Sequence, residues 1–340
     1  MHHKLKTYTE KEIGALIKRR KSEIKFGEKM NFIVKPEHLD KKISDSKSKF
    51  VLLGVPEDAG VLGNYGLPGA RFAWKAALSA VLNMQHNEYC KGNKLLLLGY
   101  LDFKSELKEL DNLIAKGKDY IDKAHEITAN IDKEVTFYTR LIVSCGKIPI
   151  IIGGGHNNCY GIIKGVALAL NKPINALNID AHTDLRPMTG RHSGNGFSYA
   201  LRQGFLNNYY IFGVHENYIS NDMIAKIEAE PHKIQYKTYE QLELKKDKSR
   251  LKTNSIKNFI QKDLFGLEID CDAISNIPSS AMTPSGFSVK QIRKIIYNLS
   301  KHSNIQYLHI CEAAPNPSNK RELLQTGKLI AYLISDFIRK

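Results

Sequence analysis

No apolar run in this 340-residue chain approaches the ~18 residues of a membrane-spanning helix, so no transmembrane segment is expected. Cysteine is scarce: five residues, odd in number and scattered (Cys90, Cys145, Cys159, Cys271 and Cys311), with no Cys-x-x-Cys pair. That pattern excludes a disulfide framework and a thiolate metal knuckle, and fits reduced thiols in a cytoplasmic protein. Residues Met1–Gly27 are basic but lack the apolar stretch of a signal peptide. Acid is short relative to base, with 35 Asp and Glu against 50 Lys and Arg and a formal net charge of +15. A nucleic-acid surface needs basic residues clustered and interleaved with aromatics. Here the lysines are spread, and their mild concentrations at Lys41–Lys49 and Lys245–Lys252 are interrupted by Asp and Ser. Neither a membrane nor a nucleic acid is therefore an expected partner; the positive field instead favours a small anionic substrate. Internal repeats and low-complexity tracts are also missing, which argues for one domain.

What is present is an alternation of apolar runs and amphipathic stretches. Strands are expected at Phe50–Val55, Lys94–Leu98, Pro149–Ile152, Ile174–Ile179, Tyr209–Phe212, Ile234–Tyr236, Phe265–Ile269 and Gln306–Ile310. Helices are expected at Ala70–Met84, Leu107–Cys145 (broken near Asp132), Asn158–Leu170, Asp222–Ala229, Arg250–Gln261, Ser288–Lys301 and Lys320–Arg339. Strands alternating with helices of ten or more residues make βαβ units, and continuous β-branched runs such as Ile-Pro-Ile-Ile-Ile imply burial on both faces. The expected fold is α/β, a three-layer αβα sandwich around a mostly parallel sheet of about eight strands. Residues 1–49 read as a helical extension, with a basic helix over residues 9–28 and a polar linker from Pro36 to Lys49; residues 50–340 read as the catalytic domain.

Four segments carry ligand-type side chains, and each lies at the end of an expected strand: Gly-Gly-Gly-His-Asn-Asn (Gly153–Asn158), Asn-Ile-Asp-Ala-His-Thr-Asp-Leu-Arg-Pro (Asn178–Pro187), Leu-Glu-Ile-Asp-Cys-Asp-Ala-Ile (Leu267–Ile274) and Ile-Cys-Glu-Ala-Ala-Pro (Ile310–Pro315). Open parallel sheets place their sites just beyond the carboxyl ends of strands. Asp180, His182 and Asp184 recur at i, i+2 and i+4, which in extended backbone points all three the same way, and Asp270 and Asp272 repeat the device. His156 arrives on a glycine turn whose missing Cβ atoms let the backbone crowd the site. An isolated Asp-x-Asp is commonly a turn or cap, but six carboxylate and imidazole groups at successive strand ends are a dinuclear cation set. Left without cations, so many buried ionisable groups are unfavourable. Oxygen and imidazole donors without thiolate suit two Mn2+ ions and, less specifically, Zn, Fe, Co or Ni.

These motifs resemble the ureohydrolase (arginase/agmatinase/formimidoylglutamase) superfamily, whose signatures are Gly-Gly-[Asp/Gly]-His, Asp-Ala-His-x-Asp, Asp-[hydrophobic]-Asp and a later Glu. The segments Gly54–Gly60 and Leu67–Arg71 resemble its first-strand loop, so the similarity spans roughly residues 50–335. The resemblance implies an arginase-like fold with one metal held by His156, Asp180, Asp184 and Asp270, and the other by Asp180, His182, Asp270 and Asp272. It also implies that Asp184 steers a shared hydroxide and that Glu312 faces the substrate. The details lean toward formimidoylglutamase. The glycine turn is Gly-Gly-Gly-His, and Asp184 is followed by Leu185 and Arg186, a guanidinium able to fork onto a carboxylate. The segment Arg191–Phe197 looks like the Ser-Ser-Gly-Thr-Pro-Phe type, with Asn195 and Gly196 where Thr-Pro is usual.

The implied reaction is hydrolysis of N-formimidoyl-L-glutamate to L-glutamate and formamide, a step of histidine degradation. Asp184, Glu312 and His192 are the expected catalytic residues, and Arg186, Arg191, Ser193 and Asn195 the expected substrate-binding ones. His215 and Asn217 end another strand; a structural role is favoured for them, with lining of the pocket as the alternative. The alternatives are a guanidino hydrolase (arginase, agmatinase or a guanidino-acid ureohydrolase) and, more distantly, a non-catalytic binding protein on the same scaffold. Family members often form symmetric assemblies, so a homo-oligomer remains an open expectation.

Overall fold

The leucine- and isoleucine-rich runs form the middle of a ten-stranded sheet in this computed structural model, which describes residues 4–243, 256, 259–261 and 263–339. The strands are β1 (Leu5–Lys6), β2 (Asn31–Phe32), β3 (Phe50–Gly54), β4 (Leu95–Leu101), β5 (Ile148–Ile152), β6 (Ile174–Ile179), β7 (Leu206–Val214), β8 (Ile234–Thr238), β9 (Phe265–Asp270) and β10 (Ile305–Cys311). They run in the order β1-β4-β3-β5-β10-β9-β6-β7-β8, with β2 also on β4. Every pairing is parallel except β1 with β4.

Two hydrophobic cores cover the two faces, and the strands feed them alternately. Phe50, Leu52, Ile150, Ile152, Leu177 and Ile179 enter one core, with the helices Ala73–Leu82, Val289–Leu299 and Lys320–Ile338. Val51, Leu53, Ile151, Ile174 and Ala176 enter the other, with the helices Lys104–Ala115, Ile121–Ser144 and Asn158–Leu170. This period-two division makes the three layers, and it is the expected α/β sandwich. The order β5-β10-β9-β6 puts four consecutive strands side by side, about 4.8 Å apart, and their carboxyl ends carry all four ligand-bearing segments. No helix among the described residues is long and apolar enough to cross a membrane.

Several boundaries differ from expectation. The basic stretch 9–28 is α-helical only over Glu10–Leu16, started by a Thr9/Glu12 capping box and ended at Ile17 in extended backbone, with a single 3₁₀ turn at Phe26–Glu28. The run Lys18-Arg19-Arg20-Lys21 follows, where like charges on one helix face would repel. The Pro36–Lys49 segment is no plain linker, since it holds the helix Leu39–Asp45 with Ile43 buried. The long stretch 107–145 breaks not at Asp132 but between Ala115 and Ile121, where Gly117 takes the left-handed conformation (φ +61°). Asp132 instead sits inside the helix Ile121–Ser144, buried against an arginine. The expected helix Arg250–Gln261 and the lysines of 245–252 lie largely outside the described residues.

Candidate metal centre

The glycine turn after β5 works by close approach. Gly153 and Gly154 have φ of +92° and +76°, and a Cβ on Gly154 would lie 2.3 Å from Asn158 Nδ2 and 2.5 Å from Glu57 Oε1. The turn is held by Gly153 N donating to Ile310 O (2.9 Å), Glu312 N to Gly154 O (3.0 Å) and Gly155 N to Glu57 Oε1 (2.9 Å). It delivers His156 to the centre of the sheet's carboxyl edge, 1% exposed.

His156 Nδ1 lies 3.2, 3.0 and 2.9 Å from carboxylate oxygens of Asp180, Asp184 and Asp270. Neither of its ring nitrogens has a hydrogen-bond partner. A buried imidazole nitrogen facing three carboxylates without a hydrogen bond is the donor arrangement of a cation site. A second group joins His182 Nδ1 to Asp272 Oδ2 at 2.9 Å and to Asp180 Oδ1 at 3.7 Å. Asp180 belongs to both groups, and Asp270 to the first. Asp272 Oδ1 is buried and without a partner.

The convergence is not achieved by a continuing pleat. β6 ends at Ile179; Asp180 Oδ1 then accepts from His182 N (2.7 Å), and Asp184 turns into the left-handed region (φ +51°). Asp270 closes β9 and caps the following turn by accepting from Asp272 N (2.8 Å), while Cys271 between them enters a core. A left-handed Asp is uncommon and is held by its surroundings.

Charge in this cluster is uneven. Burial, then the neighbouring Asp272 and Asp180 charges, pushes the Asp270 carboxyl well up; burial and Asp180 raise Asp184. Asp180 goes the other way: against burial, the imidazoles of His156 and His182 hold it well below the ordinary carboxylate range. Carboxylates this close cannot all ionise without added positive charge. The donors therefore fit divalent cations.

Glu312, after β10, has φ +58° and accepts from His156 N at 2.7 Å and from the Ser280 hydroxyl. Burial raises its pKa to about 7 against those two hydrogen bonds.

The loop after Asp184 divides the remaining expected residues. Arg186 is exposed, with its side chain packed over Gly194 beside Asn64, and no carboxylate among the described residues pairs with its guanidinium. Ser193 Oγ accepts from Asn64 Nδ2 at 3.2 Å. Arg191 departs from expectation. It is buried, forks onto Asp132 (2.7 and 3.2 Å) and donates to Asn195 Oδ1 and the carbonyls of Asn157 and His192. The rings of Tyr160 and Tyr199 lie 5.0 and 4.9 Å from its guanidinium carbon. Asn195 is equally occupied: its Oδ1 takes Arg191 and His192 N, and its Nδ2 donates to Pro187 O and Gly190 O. Both were expected to contact substrate; in this structure their hydrogen-bonding groups are consumed internally. His192 accepts from Gly194 N through Nδ1 (3.2 Å) and lies 5.8 Å ring to ring from His125. Burial, with the charges of His125, Arg191 and Arg186, lowers its pKa to about 4. His215 stacks between Tyr218 and Tyr239, and Asn217 is exposed.

Two buried acids that touch His156 or its glycine turn escaped the sequence reading. Glu57 anchors the glycine turn through Gly155, Asn157 and Asn158. Glu268 lies 3.5 Å from His156 Nε2. Each had a signal: Glu57 sits in the first-strand loop already singled out, and Glu268 interrupts an apolar strand two residues before Asp270, on the same pleat.

The arginase family pattern matches residues 48–339. The formimidoylglutamase of Geobacillus thermodenitrificans (strain NG80-2) is 32% identical over 181 residues, 51% of this chain and 55% of that protein. That of Geobacillus sp. (strain WCH70) is 28% identical over 290 residues, 83% of this chain and 81% of that protein. The chain thus spans about half the length of the first of these curated relatives. Among solved structures, the formimidoylglutamase from Bacillus subtilis subsp. subtilis str. 168 superimposes with a TM-score of 0.72 at 17% identity, covering 95% of this chain and 93% of that one. Trypanosoma cruzi formiminoglutamase with Mn2+2 gives 0.71 at 16% identity, covering 93% and 99%. These likenesses are of fold, and with the family pattern spanning the strand-end ligand segments they lead to one conclusion: the chain belongs to the arginase family.

Proposed function

We propose that this protein is a metal-dependent hydrolase that cleaves N-formimidoyl-L-glutamate with water to L-glutamate and formamide. The observation that carries the reading is the pair of ligand groups meeting at Asp180, with His156 buried and its Nδ1 facing three carboxylates without a hydrogen bond. The relatives named formimidoylglutamase support the substrate, and the T. cruzi enzyme with Mn2+2 supports manganese as the metal. Residues 50–340 are taken as the catalytic unit, with residues 1–49 as an extension that adds β1 and β2 beside β4.

His156, Asp180, Asp184 and Asp270 would hold one cation, and Asp180, His182 and Asp272, with Asp270, the other. Two such ions supply Lewis acidity that lowers the pKa of an attacking water toward neutrality. The chain's own groups do the rest. Asp184, on its left-handed turn, takes the proton from the attacking water and passes it to the departing amine nitrogen. Glu312 accepts N–H groups of the amidinium, and its two protein hydrogen bonds fix the carboxylate for that task. Arg186 forks onto a substrate carboxylate, with Ser193 and Asn64 beside it. His192, its Nδ1 already accepting a backbone N–H and its pKa low, serves as a neutral neighbour of that pocket rather than a base charged near pH 7.

Incubating the Mn2+-loaded protein with formimidoylglutamate, arginine, agmatine and 4-guanidinobutyrate, and assaying formamide against urea, tests the reading. Formamide from the first compound alone is expected. Urea from a guanidine, with no formamide, would move the enzyme to the guanidino branch; two bound ions with no turnover would make it a binding protein.

A further inference from the structure

Beneath the ligands, the same face of the sheet carries a second polar layer that the proposed chemistry does not use. On β9, Phe265, Leu267 and Ile269 enter one core, so Gly266, Glu268 and Asp270 face the other side. On β10, Tyr307, His309 and Cys311 stand directly opposite them in register. Gly266 makes room for the tyrosine: a Cβ there would lie 1.9 Å from Tyr307 Cε1. The Tyr307 hydroxyl donates to Glu268 Oε1 at 2.6 Å, and His309 Nδ1 is 2.5 Å from Glu268 Oε2. That same oxygen faces His156 Nε2 at 3.5 Å, and Glu268 and His309 are fully buried. Burying a carboxylate fully in a central strand is costly for stability even when it is hydrogen-bonded, so its presence calls for another role.

We propose that Glu268 is a positioning residue for His156: it faces the Nε2 proton, keeps Nδ1 bare toward Asp180, Asp184 and Asp270, and so sets the affinity of that one cation position. This rests on the reading that divalent ions occupy the strand-end site. A ligating imidazole presents one bare nitrogen, which confines its proton to the other. A carboxylate on the proton side fixes tautomer and ring orientation and makes the ligand more basic. Tyr307 and His309 hold the Glu268 carboxylate in place, and the Phe197 ring meets His156 edge-on at 5.2 Å, restricting its rotation.

The same atoms permit another arrangement, since His156, Glu268, His309 and Cys311 offer ligand atoms within 4.8 Å of one another. A third cation there would require His156 to ligate through both nitrogens and lose its last proton, and Glu268 to share oxygens already bonded to Tyr307 and His309. The positioning role needs neither.

The test is calorimetric titration of metal-free full-length protein with Mn2+, with elemental analysis and thermal unfolding, for wild type, Glu268→Gln and Glu268→Leu. Wild type is expected to take two ions per chain. Glu268→Leu loses roughly 100-fold in affinity at one position and Glu268→Gln about 10-fold, as removal of such a partner does elsewhere. The second position is unchanged in both. If Glu268→Leu fails to fold, the one-position loss in Glu268→Gln decides. Wild-type affinity at both positions in Glu268→Gln overturns the proposal, as does equal weakening at both with a lowered unfolding midpoint, or three ions bound by wild type. Two wild-type ions without formimidoylglutamate turnover would remove the substrate reading and leave this one standing.

Discussion

The tips of β5, β6 and β9 and the loop Leu185–Phe197 both follow the carboxyl ends of strands, yet the fold places their side chains by different means. At the strand tips, the sheet sets the anchor points: parallel neighbours in register bring the ends of β5, β6 and β9 together, and short hydrogen-bonded turns then aim His156, Asp180 and Asp270 at one another. In the loop, position is decided by competition among local hydrogen bonds. Arg186 and Arg191 show the outcome. They lie five residues apart in one loop; one is exposed with no carboxylate partner among the described residues, and the other is buried with Asp132 and two tyrosines around it. Rigid register gathers candidate ligand sets, and an irregular loop can bury one arginine and expose another.

The sharpest way to break this comparison is Asp180→Ala. Because Asp180 faces both His156 and His182, the variant is expected to lose both cations and all measurable turnover, read by elemental analysis and a formamide assay. If it kept two ions, the strand-tip geometry would not be what gathers them. Next in size is Arg191→Met, which leaves a buried Asp132 carboxylate unpaired. Breaking such a pair costs about 3–5 kcal/mol, so the denaturation midpoint should fall clearly while KM of the folded enzyme stays near wild type. Adding Asp132→Asn should recover part of the loss. A large rise in KM without loss of stability would return Arg191 to the substrate.

The same contrast explains what could be read in advance. The sheet was legible because burial on both faces writes continuous apolar runs, and the tips because ligand-type residues follow those runs; the turns that aim the side chains depart from the extended backbone expected of them. The eight expected strands are all present, within a few residues at Phe50–Gly54 and Ile174–Ile179, while the two-residue strands β1 and β2 were too short to leave an apolar run. The loop was not legible. Nothing in the spacing of Arg191 and Asn195 reveals Asp132, which comes from a helix 59 residues earlier. The misplaced helix break has the same origin, since a polar residue in a periodic stretch reads as an interruption when its partner is distant in sequence. Glu268 was readable in principle, but a single acid in an apolar strand gains meaning only when β10 sets Tyr307 and His309 opposite.

Arg186→Ala sharpens the other half of the comparison. A charge-assisted fork is worth about 1.5–3 kcal/mol, so KM for an acidic amidine should rise roughly 10- to 100-fold, at about 1.4 kcal/mol per tenfold, with two ions still bound. An unchanged KM would remove the carboxylate clamp.

The smallest expected effect concerns His192, where the loop holds an imidazole that resists protonation. Its pKa falls from 6.5 to about 4 on folding because of burial and the facing charges of His125, Arg191 and Arg186. A histidine whose folded pKa is depressed contributes stability that is present above its unfolded pKa and is lost as pH falls through the folded value. As pH drops from about 6.5 to about 4, the unfolded chain takes up a proton that the folded one refuses, and stability declines. His192→Gln should flatten that part of the profile, because glutamine can accept from Gly194 N without titrating. The quantity to compare is the difference in denaturation midpoint between variant and wild type at pH 7.5 and pH 5, which cancels the titration of the strand-tip carboxylates common to both. Parallel profiles would mean that His192 is protonated as readily in the fold as in the open chain, and that the loop leaves it as accessible as Arg186.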